Sequence, residues 1–124
     1  MISCPTAAEL RSALDAFDQQ DVPPDGRRVF LARVADNARA LLTREAALGE
    51  TAEAEERARL SALLGANGDH RDLNGRLCEA LRSGAIAPRD QTLLAHLRAT
   101  AIARIAIDQP GYCGLEALLD SPTA

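Results

Sequence analysis

At 124 residues and 47% hydrophobic content, the chain is long enough to bury a core without disulfide or metal staples and too apolar to remain disordered. A net charge of −4 argues against a general nucleic-acid binder, which carries a basic excess. All 14 cationic side chains are arginine, which excludes Schiff-base, P-loop and general-base lysine chemistry and leaves any phosphate or carboxylate recognition to Arg forks. Phe17, Phe30 and Tyr112 are the aromatics, so the core must be built from Leu, Ile, Val and Ala, a composition that favours closely packed helices over strands.

In chain order, "PTAAELRSALDAF" carries a capping box, Thr6 with Glu9 three residues on, and places Leu10, Leu14 and Phe17 on one side of a first helix. "DVPPDG" stops it. A second helix is predicted from about Arg27 to Leu48, with Gly49 as its C-terminal cap. Thr51 starts a third, "TAEAEERARLSALLG", whose stripe is Leu60, Leu63 and Leu64 and whose acidic run reads as a solvated face. Asp69 caps a fourth helix through about Arg82, packing Leu73, Leu77 and Leu81, and Gly84 ends it. After "IAPRDQT", where Asp90 or Thr92 is the cap, the last long helix runs from Leu93 to Ile107 and is apolar nearly all round, the mark of a buried element. "LEALL" suits a final helical turn before "DSPTA" frays. The expected fold is all-α: a single-domain bundle of about five helices over residues 1–124, with 1–5 and 115–124 as flexible ends.

Polar residues interrupt two apolar faces. On the second helix, Asn37 falls beside Phe30 and Leu41, and Arg33 borders the same face. A buried amide needs a partner. Asn37 therefore reads either as a structural amide bonded to another segment, best of all the last helix, or as a ligand-facing amide in a groove. On the last helix His96, Thr100, Arg104 and Asp108 recur every four residues as one polar ridge. That ridge is either a solvent-facing stripe with an Arg104–Asp108 ion pair, or a polar seam between helices with Arg104 free to take a carboxylate or phosphate.

No HExxH, GxSxG, GxGxxG or P-loop pattern occurs, so the residues nominate no catalytic group, cofactor or metal. Cys4, Cys78 and Cys113 are odd in number and widely spaced, as in a reducing compartment. "MISCP" is not a signal peptide, and "AIARIAI" is too short to span a bilayer, so the chain reads as cytoplasmic, without membrane or nucleic-acid partners.

The stretches "PTAAEL", "FLARVADNA", "RE" with "LG" after it, "DLNGRLCE", "LLAHLRATAIARIAIDQP" and Tyr112 span residues 5 to 112. Through them, and particularly through Asn37, Asn74 and the Asp108–Pro110 ending, the chain resembles a bacterial family of small helical domains of unknown function. Genes of that family sit beside aminoglycoside-phosphotransferase-like kinases and acyl-CoA dehydrogenases. The family often carries His at the position of Leu31, and it offers no catalytic residues to carry over. The resemblance implies a partner among such enzymes.

These readings converge on a non-enzymatic accessory or protein-interaction domain. It would act as a homodimer or in complex with a phosphotransferase-like or acyl-CoA dehydrogenase-like protein. The alternative is a binding module for a carboxylate, acyl-CoA or phosphate. The candidate ligand-binding or polar-seam residues are Arg33, Asn37, Asn74, His96, Arg104 and Asp108.

Overall fold

A computed structural model describes residues 5–20 and 26–120. It is all-α: α1 (Ala7–Asp18), α2 (Gly26–Leu64), α3 (His70–Ser83), α4 (Gln91–Asp108) and α5 (Gly114–Asp120), with no strand among the described residues. Residues 121–124 of the expected frayed end, residues 1–4 and the expected stop at 21–25 lie outside the described residues.

Five helices are expected and five are present among the described residues, but they are not the same five. The predicted break at Gly49 does not occur: the second and third predicted helices are one helix of 39 residues, and the predicted final turn is α5. A glycine inside a helix costs only about 1 kcal/mol relative to Ala, and Ala46, Ala47, Glu50, Ala52 and Ala54 around Gly49 are strong helix formers. Gly49 is not left-handed, whereas Gly65 is, at φ +60°. The real stop is there, where Ala66 N–H donates to the Ser61 carbonyl across the glycine at 3.2 Å.

Other helix ends follow their predicted chemistry. Thr6 accepts from the Glu9 N–H while the Glu9 carboxylate accepts from the Thr6 N–H at 2.7 Å, which also lowers the Glu9 pKa below the usual carboxylate value. Asp69 caps α3 through the Asp72 N–H at 2.7 Å, and Asp90 caps α4 through the Leu93 N–H at 2.9 Å. Gly84 closes α3 in the left-handed conformation, φ +76°.

Contacts divide the chain into two compact units, Met1–Gly49 and Glu50–Ala124. In the first unit, α1 has no fully buried residue; Leu10, Leu14 and Phe17 are half-buried. Its C-terminal end is fastened to α2 by arginines. Arg28 donates to the Phe17 carbonyl at 3.2 Å and lies 4.0 Å over the Phe17 ring, while Arg39 reaches Asp18 at 2.5 Å and Asp36 at 2.9 Å. Ala35, on that same side of α2, is buried.

The second unit has a leucine core. Leu60 from α2, Leu73 and Leu77 from α3 and Leu93 from α4 are buried together, ringed by Leu63, Leu64, Ala66, Leu81 and Ile86. Each fully buried leucine contributes roughly 1.5–3 kcal/mol. The last helix is less enclosed than expected. Leu93, His96 and Ile107 are buried, but Leu94 and Leu97 stand exposed, because α4 is covered along one side only. Arg98 donates to the Leu118 carbonyl and ties α5 to α4.

Candidate functional site

Ala52, Glu56 and Leu60 recur every four residues on α2 and are all buried, so the core stripe of the second unit contains a carboxylate. Glu56 is 2% exposed. Its Oε2 lies 3.1 Å from His70 Nε2 on α3, and its Oε1 lies 3.6 Å from Arg104 Nη2 on α4. One buried anion is thus held by groups from both neighbouring helices, the arrangement a buried charge requires. The Asn74 amide nitrogen also lies 3.1 Å from His70 Nε2, so which ring nitrogen donates follows the tautomer. Asn74, one turn on from His70, donates to the His70 carbonyl at 3.0 Å and fixes that turn.

His96 borders this cluster and is 4% exposed. Burial and the neighbouring Arg59 guanidinium push its pKa down, with His70 adding to the effect and Glu56 opposing it, so the ring is held neutral. Three buried polar atoms here have no hydrogen-bond partner among the described residues: His96 Nδ1, Thr100 Oγ1 and Arg59 Nε. Among the described residues no group of three His, Cys, Asp or Glu is placed to hold a metal ion.

The predicted site residues therefore separate. Asn74, His96 and Arg104 join one polar cluster in the second unit, with Thr100 beside them. The reading of His96 as part of a solvent-facing stripe is corrected: the ridge begins buried at His96 and ends exposed at Asp108. Arg104, offered as free to take a carboxylate, already faces the Glu56 carboxylate. Glu56 itself was missed, having been assigned to a solvated acidic run. Stepping the Leu60 stripe back by four residues would have found it.

Arg33 and Asn37 lie in the first unit and are both exposed. The expectation that Asn37 is buried and bonded to another segment is overturned. The stripe that suggested it is not core there, since Phe30 is 64% and Val34 49% exposed. At about 100° per residue, Phe30, Val34, Arg33 and Asn37 share one face of α2, opposite the side on which Arg28 and Arg39 meet α1. An aromatic and an aliphatic side chain, an arginine and an amide thus stand exposed together on this face.

A family profile described as "Domain of unknown function (DUF6285)" matches residues 23–112, which include α2, α3 and α4 but not α1. Comparisons with curated proteins and with solved structures find no match.

Proposed function

The chain belongs to the DUF6285 family, and on that footing we propose that it is a non-enzymatic accessory domain that works by binding another protein. The supporting observation is the exposed face of α2, where Phe30 and Val34 stand beside Arg33 and Asn37. Exposed single apolar residues are ordinary, but a contiguous apolar group edged by Arg and an amide is what partner surfaces are made of. The partner class we propose is a bacterial phosphotransferase-like kinase or acyl-CoA-metabolising enzyme, as the family resemblance implies, with the cytoplasm as the setting suggested by the cysteine usage.

Co-expression with each class of enzyme, followed by size-exclusion chromatography and activity assays of the separate components, tests the reading. Co-elution is expected, with activity residing in the partner. A chain that stays alone in every pairing and turns over a substrate by itself overturns it.

A second reading, a binding module for a carboxylate, acyl-CoA or phosphate, draws support from Arg104 and from the unpartnered His96 Nδ1 and Thr100 Oγ1. The ligand's anionic group would have to compete with Glu56 for Arg104. Titration calorimetry with acetate, coenzyme A and phosphate separates the two readings.

A further inference from the structure

We infer that the exposed face at the start of α2 docks an acidic amphipathic helix of another protein. This rests on the protein-binding reading above and names the chemistry of the partner. From Gly26 to Arg44 the helix carries five arginines and one aspartate, within a chain of net charge −4. The placement of four of these arginines divides them by task. Arg28 and Arg39 hold α1, and Arg39 also occupies Asp36, the one carboxylate of this stretch. Arg27 and Arg33 lie on the other side of the helix, flanking Phe30 and Val34, and both are exposed.

Among the described residues from Gly26 to Asn37, the face thus has an apolar centre, cations on both flanks, an amide at Asn37 and no carboxylate. Its complement is a segment with apolar residues at helical spacing and Asp or Glu on either side. The charge order of α2 agrees. Cations near a helix N-terminus oppose the helix dipole, and α2, like α4, has no acidic residue in its first turn. Carboxylates brought by a partner would neutralise both the arginines and the helix end. A second copy docking through the same face would set arginine against arginine. The chain's net charge of −4 disfavours an anionic membrane as the occupant.

The test uses the full chain and three probes: a fluorescent Glu/Leu amphipathic peptide, its Lys/Leu counterpart, and phosphatidylglycerol-containing vesicles. The Glu/Leu peptide should bind, and Arg27→Glu with Arg33→Glu should weaken it by about ten-fold while the circular dichroism spectrum is unchanged. Added salt should weaken it in the wild type more than in the double variant. Absence of Glu/Leu binding, equal binding of the Lys/Leu peptide, or binding confined to vesicles would overturn the inference. Co-elution with a partner enzyme that survives the double charge reversal leaves the protein-binding reading standing and removes this one. Peptide binding without co-elution keeps this inference and removes only the kinase-like and acyl-CoA enzymes as partners.

Discussion

Glu56 and Arg104 face one another at 3.6 Å but differ sharply in surroundings, with side-chain exposures of 3% and 51%. Which partner is deleted should therefore matter. Losing the arginine leaves the buried carboxylate with His70 as its remaining ion-pair partner, whereas losing the glutamate leaves an arginine that reaches water and a part-exposed His70. Arg104→Met is expected to cost on the order of 1–3 kcal/mol, and more than Glu56→Leu. Denaturant melts of the two variants check the order, and a costlier Glu56→Leu would mean that the carboxylate organises more than this pair. Asn37 tests the opposite extreme. Being exposed, its replacement by Leu should change stability by less than about 0.5 kcal/mol. If Asn37→Leu unfolds the protein at markedly lower denaturant, the amide has a structural role that its exposure conceals. Both residues interrupt an apolar stripe, and the pattern alone cannot tell a buried interruption from an exposed one. Burial depends on what covers the stripe, and that is set by tertiary packing: α3 and α4 cover Glu56.

At the scale of elements, caps were legible because they are local chemistry. Thr6 with Glu9, Asp69, Asp90 and Gly84 act within three or four residues of themselves and hold where predicted. Gly49 was misread because a glycine ends a helix only when its neighbours let the chain turn, and here strong helix formers continue on both sides. The same distinction separates two other glycines. Gly75 sits inside α3, exposed and with nothing within 4 Å of an added Cβ, so Gly75→Ala should stabilise by about 0.5–1 kcal/mol. Gly84 also has open space around it but a φ of +76°, so Gly84→Ala should destabilise by about 1 kcal/mol. Thermal melts of both variants are the check. A shift of the same sign in both would show that helix propensity and backbone conformation are not the controlling terms.

For the molecule as a whole, composition disclosed the helical class and the lysine-free chemistry, but not that the second unit buries a histidine beside an ion-paired carboxylate. That placement makes stability depend on pH. In the folded state His96 is held neutral, its pKa lowered by burial, by Arg59 and by His70 against the pull of Glu56. In the unfolded chain it protonates near its ordinary value of about 6.5. Between the lowered folded value and about pH 6.5 the unfolded state binds the extra proton, so stability falls as pH falls. The contribution is fully present above about pH 6.5 and is lost progressively below it, at up to about 1.4 kcal/mol per pH unit. Urea midpoints at about pH 7.5 and about pH 5.5 should therefore differ, the acidic one being lower. His96→Leu, which keeps an apolar side chain of similar reach in a buried position, should narrow that difference while Arg59, Glu56 and His70 remain in place. If the variant keeps the wild-type difference in full, the acid sensitivity belongs to other groups and His96 does not govern it.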